Sequence, residues 1–150
     1  MSEFIQGKTV VINQPSYTLY TVFSDPGRMA SVLPEQYRDK VTFGEDTVLI
    51  HVQGFELGVR IHNRTPFSKV EFEHYGQSPF PFYIAIFMEP ASDSTTYFHI
   101  ELTAELNMMM RMMLGKRLQE GVDKITDAIA AAAAGKMPDN MPQGWQDMAR

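Results

Sequence analysis

The middle of the chain alternates hydrophobic and polar residues with the period of two that is typical of half-buried β-strands. In the clearest run, every second position from 55 to 61 is apolar, and the positions between are mostly polar. Similar runs, separated by turn-forming residues, lie near 41–43, 48–52, 70–75, 82–88 and 97–104. Together with the run at 55–61 they predict about six antiparallel strands. One apolar face on such strands indicates a sheet with one buried face.

Two short helices are predicted between the first strand and this run of strands. The β-branched and apolar segment 8–12 predicts the first strand, with its earliest start near Phe4, and Asn13 or Ser16 is expected to cap the helix that follows. Asp25 is expected to cap the second helix, which starts at Pro26 and runs to about Val32.

The last part of the chain predicts one long helix from about Met108 to Ala134, with Asn107 as its N-cap. Apolar residues recur along it at steps of three and four and define a buried stripe. These residues are Leu114, Leu118, Val122, Ile125 and Ile129. Residues 136–150 contain two prolines, a glycine and the only tryptophan, and they are expected to form an extended tail that docks through Trp145.

The order of elements predicts an α+β fold in which the C-terminal helix covers the sheet, because no other helix is long enough. Because a cylindrical helix and a curved sheet differ in shape, we expect a cavity between the C-terminal helix and the sheet.

Composition narrows the class of protein. The 150 residues fit one domain, and 44% hydrophobic with 21% charged residues exclude a disordered chain. No apolar run approaches the roughly 20 residues of a membrane span, and the first residues do not form a secretory signal. The absence of cysteine excludes disulfides and thiol catalysis. Cytoplasm is the expected location, and a net charge of -5 disfavours nucleic acid as a partner.

The order of elements resembles that of the START-like (SRPBCC) superfamily, which has the helix-grip fold. The local resemblance runs from Val10-Val11-Ile12 through Pro15 to Val22-Phe23-Ser24-Asp25-Pro26. This stretch is similar to the family's apolar strand, proline, helix and Ser-Asp-Pro entry to the second helix. The uncharacterised bacterial branch near the polyketide cyclase/dehydrase-like proteins fits best.

The resemblance implies a START-like domain at residues 3–135 and a tail at 136–150. The fold would be a curved antiparallel sheet of about six to seven strands wrapped around the C-terminal helix, with two short helices after the first strand. Members typically hold an apolar ligand under that helix, and some catalyse cyclisation, dehydration or hydrolysis there.

The candidate site combines aromatic and methionine side chains with one histidine. His74 continues the apolar phase of Val70 and Phe72, whereas His51, His62 and His99 share the phase of polar neighbours and are expected to face outward. The expected ligand-binding residues are Phe55, Phe72, His74, Tyr83, Met109, Met110 and Met113. No catalytic residue is assigned, and neither a cofactor nor a metal is expected, because no metal-ligand spacing occurs.

Three functions stay open at this stage. The first is binding of a small apolar ligand, namely a lipid or a sterol-like or aromatic compound. The second is a polyketide cyclase/dehydrase-like enzyme acting in the same cavity, which requires two converging polar groups. The third is an interaction module that uses the methionine-rich helix start or the tail, with a homodimer as one form. The expected partner is the small apolar molecule, with neither nucleic acid nor a membrane span.

Overall fold

The structure is a computed structural model that describes residues 2–32, 39–52, 55–76, 78 and 80–133. Within these ranges the strands are β1 (Ser2–Gln6), β2 (Val10–Ile12), β3 (Val41–Phe43), β4 (Thr47–Val52), β5 (Phe55–Thr65), β6 (Lys69–Tyr75), β7 (Phe82–Pro90) and β8 (Thr96–Glu105). The helices are α1 (Ser16–Phe23), α2 (Pro26–Val32) and α3 (Met108–Ala133). The predicted tail at 136–150, with Trp145, lies outside the described residues.

All strand pairs are antiparallel, and the sheet runs in the order β1-β8-β7-β6-β5-β4-β3, with β2 also paired to β8. The α+β prediction is therefore confirmed, including the long C-terminal helix and the two short helices. The described sheet has eight strands because the first predicted strand is interrupted. Its two pieces, β1 and β2, pair with different parts of β8.

The interruption lies at a point of close contact between α3 and the sheet. The Gly7 N–H donates to the Ile100 carbonyl at 2.8 Å. A Cβ at Gly7 would lie 2.7 Å from Val122 Cγ1 and 2.9 Å from the Ile100 oxygen. Only glycine fits this close approach without a shift of its neighbours.

Polar groups of α3 hold the same segment from the helix side. Asp123 Oδ1 accepts a hydrogen bond from the Lys8 N–H at 3.1 Å, and Gln119 donates to the Gln6 carbonyl at 3.2 Å. Lys8 Nζ also lies 2.6 Å from Asp127 Oδ1. The helix is thus fixed over the β1–β2 break by both packing and hydrogen bonds.

The buried stripe of α3 agrees with the predicted one at three of five positions, and the predicted Leu114 is half-buried but is not among the residues packed against the core. Val122 is buried, and Leu118 and Ile129 pack against the core, as predicted. Ile125 is 40% exposed, so its assignment to the stripe is wrong. Thr126 is buried in its place, and its hydroxyl donates to the Val122 carbonyl at 2.9 Å, which satisfies its hydrogen-bonding need.

Of the three helix caps predicted from the sequence, two are confirmed and one is wrong. Asn107 Oδ1 accepts from the Met110 N–H at 2.8 Å, and Asp25 Oδ1 accepts from the Gly27 N–H at 2.9 Å, as predicted. The predicted cap of α1 by Asn13 or Ser16 is wrong. Pro15 holds that position, and no side chain caps the helix there.

Candidate functional site

The inner face of the sheet carries the core, and the helices cover it unevenly. α3 packs mainly against β1, β2 and β8, whereas α1 packs against β6 and β7. Toward the β6 C-terminus, the inner side chains of β5 to β7 are less covered: Val59, His74 and Ile84 are half-buried, and Leu57 is 37% exposed. These four residues form what we term the inner apolar patch.

His74 is the polar member of this patch, and a backbone hydrogen bond fixes its ring. The Phe82 N–H donates to His74 Nδ1 at 3.3 Å, and the two rings lie 5.8 Å apart. Since Nδ1 accepts a hydrogen bond, the neutral ring carries its proton on Nε2. His74 therefore contributes an Nε2–H donor among apolar neighbours.

The strands bring together only some of the predicted site residues. Phe72 is buried and pairs with Ile84, next to His74 on the same strand. Tyr83 pairs with Glu73 and lies on the outer face, because successive side chains of a strand point to opposite sides. Its ring nevertheless makes an edge contact with the His74 ring, with the centroids 6.4 Å apart. The side chain of Phe55 lies outside what the structure describes.

The three predicted methionines of α3 point in different directions. Met110 is half-buried and packs against the core, whereas Met109 and Met113 are exposed. Met113 precedes the buried Val122 by nine residues, about two and a half helical turns, which places it on the opposite side of the helix. The structure therefore groups Met110 with the core side of α3 but not Met109 and Met113. Ligand contact by any of the seven predicted residues stays a prediction.

The outer face holds a shallow depression of about 100 Å³ that the sequence pattern did not indicate. In the strand register Glu71 lies opposite Ala85, which in turn lies opposite Glu101, so the smallest side chain is between two carboxylates. The residues around it are His62, Glu71, Phe72, Tyr83, Ile84, Ala85, Glu101 and Thr103.

The two carboxylates of this depression already have partners. Glu71 lies 2.5 Å from Lys69 Nζ, and this hydrogen bond holds the Glu71 pKa below its usual value although burial acts in the opposite direction. Glu101 lies 2.9 Å from His99 Nε2, and the His99 ring stacks on Phe87. Both carboxylates of the depression are therefore already paired with neighbouring side chains of the outer face.

The outward orientation predicted for His62 and His99 is confirmed, since both contact the glutamates of the outer face. Among the described residues, no three His, Cys, Asp or Glu side chains converge in a way that could hold a metal ion. Nor does any described helix combine the length and hydrophobicity needed to cross a membrane.

No protein-family model matches this chain, and no curated protein is significantly similar to it in sequence. Solved structures are similar in fold. Norcoclaurine synthase from Thalictrum flavum, solved with dopamine and hydroxybenzaldehyde, aligns with a TM-score of 0.70 and 12% identity over 90% of this chain and 86% of that chain.

Two bacterial structures are also similar. A protein from Thermobifida fusca aligns with a TM-score of 0.65 and 12% identity, covering 93% of this chain and 97% of the other. A START superfamily protein from Mycobacterium smegmatis aligns with a TM-score of 0.57 and 13% identity, covering 89% and 96%. Element order, sheet topology and these alignments agree, and the chain has the START-like helix-grip fold.

Proposed function

We propose that this chain is a cytoplasmic protein that binds a small apolar molecule on the inner face of the sheet, beside α3, where the helices leave the inner apolar patch partly uncovered. The observation that carries the proposal is that the half-buried Val59 and Ile84 and the exposed Leu57 surround His74 on the inner face of the sheet. Apolar surface of this kind gains roughly 25 cal/mol for each Å² removed from water. A ligand that covers the patch would obtain most of its affinity from that term.

His74 narrows the chemistry of the proposed ligand. Its Nε2–H is a donor, so a ligand with an apolar body and one hydrogen-bond acceptor, such as a carbonyl oxygen, fits best. Norcoclaurine synthase, which shares the fold, was solved with two small aromatic compounds. That supports a small-molecule ligand, and within this class we propose a lipid or a sterol-like or aromatic compound.

The test is native mass spectrometry of the chain purified without detergent, followed by extraction and identification of whatever is bound. We expect a stoichiometric apolar compound, or uptake of at least one compound from a panel of fatty acids, sterols and aromatic polyketides. A protein that is empty and takes up no compound of the panel would overturn the proposal.

Residues on opposite faces of the sheet give a matched pair of variants. Ile84→Trp fills space on the inner side of β7 and should weaken binding by at least about tenfold, a loss of roughly 1.4 kcal/mol. Tyr97→Trp changes an exposed side chain on the outer face of β8 and should leave affinity within about twofold of the parent. Fluorescence titration measures both, and thermal melts check folding. Equal affinity in the two variants would locate the ligand elsewhere.

A cyclase/dehydrase-like enzyme is the second candidate, and it is favoured by the hydrogen bond from the Phe82 N–H that orients the His74 ring. His74→Gln keeps a polar side chain but cannot act as an acid or base near neutral pH. An enzyme that uses His74 would lose at least about a hundredfold in turnover of an identified ligand, whereas a carrier would change only in affinity.

A further inference from the structure

The His74 side chain closes the end of the β6–β7 ladder. The regular pairing of these strands ends at Glu73 and Tyr83, so the next pair in the same register would be His74 and Phe82. At that position the Phe82 N–H donates to the ring nitrogen Nδ1 of His74 at 3.3 Å. Phe82 is 3% exposed, so its N–H is shielded from water and depends on the ring for a hydrogen bond. The ring therefore takes the place of a backbone acceptor.

This contact fits the uncharged form of the His74 ring. A protonated imidazole is a donor at both nitrogens, so an Nδ1–H would then face the Phe82 N–H. The neutral ring keeps Nδ1 as an acceptor and offers Nε2–H as its one donor to the inner apolar patch. The histidine of the patch is thus suited to a hydrogen bond with a ligand and not to an ion pair.

The cations on the outer face of the neighbouring strands are bound by carboxylates. Arg60 follows the inner Val59 on β5 and therefore points outward, where its Nε donates to Glu73 at 3.0 Å. Lys69 lies on the same face, 2.5 Å from Glu71. Neither side chain is directed at the inner apolar patch.

Arg64 faces inward but lies at the far end of β5. It pairs with the buried Val70, which places both on the inner face. It follows Val59 by five residues, about 16 Å along the strand. Its guanidinium donates to Asp46 Oδ1 at 2.7 Å and to the Ser24 carbonyl at 2.9 Å. Arg64 is therefore engaged at the opposite end of the strand from the patch.

The exposed cations of α3 also point away from the patch. Arg117 and Lys124 lie about 140° and 160° around the helix from Val122, which is buried against the sheet. Lys116 lies on the same side of the helix as Asp123, whose carboxylate bonds the segment between β1 and β2. Within the described ranges, no cation of β5 to β7 or of α3 is directed at the patch.

A ligand carboxylate at this place would lose its hydration without gaining a counter-ion. Burial of an unpaired charge costs far more than burial of a neutral carbonyl, for which a single donor is sufficient. Protonation of His74 would supply a positive charge, but it would break the hydrogen bond from Phe82. The surroundings of His74 thus favour a neutral acceptor.

We infer that the inner apolar patch selects a ligand whose polar end is uncharged, such as a ketone, ester or amide, over the carboxylate of the same body. The ligand oxygen accepts from His74 Nε2–H, and the apolar body covers Val59 and Ile84. This inference rests on the proposed function and adds to it the charge of the ligand.

The test compares lauric acid and naphthoic acid, each as the free acid, the methyl ester and the primary amide. Calorimetric titration of the full chain at about pH 7.5 keeps both acids ionised. We expect ester and amide to bind at least about tenfold more tightly than the acid of the same series. An acid that binds as tightly as its own ester would overturn this inference and leave the proposed function standing. Binding of no compound in either series would overturn both.

A cation placed in the patch should reverse the preference. Leu57→Arg adds a guanidinium beside His74 at a position that is already 37% exposed, and it should raise acid affinity relative to ester affinity at least about tenfold. Tyr97→Arg is the matched control, because it adds the same charge at an exposed position on the outer face of β8. It should leave the ratio within about twofold of the parent. An unchanged ratio in Leu57→Arg would overturn the inference.

The role of His74 as the donor has its own variant. His74→Phe keeps an aromatic ring but removes Nε2–H, so it should weaken the ester by about fivefold and the acid by less than about twofold. Thermal melts verify folding, since the Phe82 N–H loses its acceptor in this variant. Leu57→Arg leaves that hydrogen bond in place and tests the charge preference independently. Equal losses for ester and acid in His74→Phe would overturn the assignment of His74 as the selecting donor.

Discussion

Gly7 is the residue on which the position of α3 depends most directly. A methyl group there would meet Val122 on the helix and the Ile100 carbonyl on β8. Val122 is a buried β-branched side chain with little rotamer freedom in a helix, and the carbonyl belongs to the sheet backbone and already accepts the Gly7 N–H. Relief of the contact would therefore require movement of the backbone.

We expect Gly7→Ala to lower the free energy of unfolding by about 1–3 kcal/mol, the usual cost of overpacking. Gly115→Ala is the control, because a Cβ there meets nothing within 4 Å. It should raise stability by about 0.5–1 kcal/mol, since alanine is the better helix former. Urea denaturation measures both, and equal stability of Gly7→Ala and the parent would show that the close approach is not a constraint.

Asn107 stabilises the start of α3 as its N-cap. Its side chain accepts the Met110 N–H at the start of α3. Asn107→Ala should cost about 1 kcal/mol of unfolding free energy, whereas Asn107→Asp should retain most of it because aspartate is an equally good cap. The same urea titrations apply, and a similar loss in both variants would contradict a capping role.

At the level of single residues, the sequence predicts some features correctly and misses others. Asn107 and Asp25 were identified correctly because a cap depends on local chemistry. The burial of Thr126 in place of Ile125 was not foreseen, because hydrophobicity favours isoleucine and the hydroxyl is tolerated only through its bond to Val122. The direction of Met109 and Met113 depends on how α3 is rotated against the sheet, and helical spacing alone does not set that rotation.

At the level of elements, the pairing of β5 with β6 is reinforced on the outer face. Arg60 Nε donates to Glu73 across the two strands at 3.0 Å. This hydrogen bond, aided by the charge of Arg60 and opposed by burial, holds the pKa of Glu73 below its usual value. A carboxyl with a lowered pKa contributes stability above its unfolded pKa of about 4.3, and that contribution is lost as pH falls through the lower folded value.

Arg60→Gln should therefore lower the melting temperature at pH 7, and the difference from the parent should shrink below about pH 4 as Glu73 becomes protonated. The measurement is a series of thermal melts between those values. Glu73→Gln serves as the reference, because adding Arg60→Gln to it should have little further effect. A difference that is constant over the whole range would mean that Arg60 acts through packing alone.

Alternation predicted which parts of the chain are strands but not their irregularities. The register shifts between Ile61 and Asn63, so one residue more is accommodated in β5 than in β6. As a result both His62 and Asn63 approach Glu71. A bulge of this kind leaves no mark in a hydrophobic pattern, because it is fixed by pairing with the neighbouring strand. The break between β1 and β2 was not predicted either, because it too is fixed by pairing with a neighbouring strand, β8.

At the level of the whole molecule, the centre of stability lies around β8. This strand pairs with β7 on one side and with β1 and β2 on the other, and its buried residues include Phe98 and Ala104. By contrast, β3 is a three-residue strand at the edge of the described sheet.

We expect amide hydrogen exchange to be slowest in β7 and β8 and fastest, among the strands, in β3. Amides of a central, fully packed strand open only when the molecule unfolds, whereas an edge strand opens locally. Exchange measured by NMR tests this order. Protection of β3 equal to that of β8 would indicate that the sheet opens as one unit.

The architecture could be predicted from the sequence because the order of elements leaves only one helix able to cover the sheet. The composition of the site could not, since it depends on which inner side chains the helices leave uncovered. Leu57, Val59 and Ile84 look like ordinary core residues in the sequence, and only the seating of α3 over β1, β2 and β8 distinguishes them.

The pairing of β1 with β8 has a consequence for synthesis of the chain. Ser2 lies opposite Glu105, so β1 has no partner in β8 until about a hundred further residues have been synthesised. Until then Ile5 and Ile12, both buried in the finished fold, are exposed together with the edges of an incomplete sheet. Pairings this distant slow folding and expose segments prone to aggregation. Early binding by a chaperone at the N-terminal strands is therefore the expected safeguard during translation.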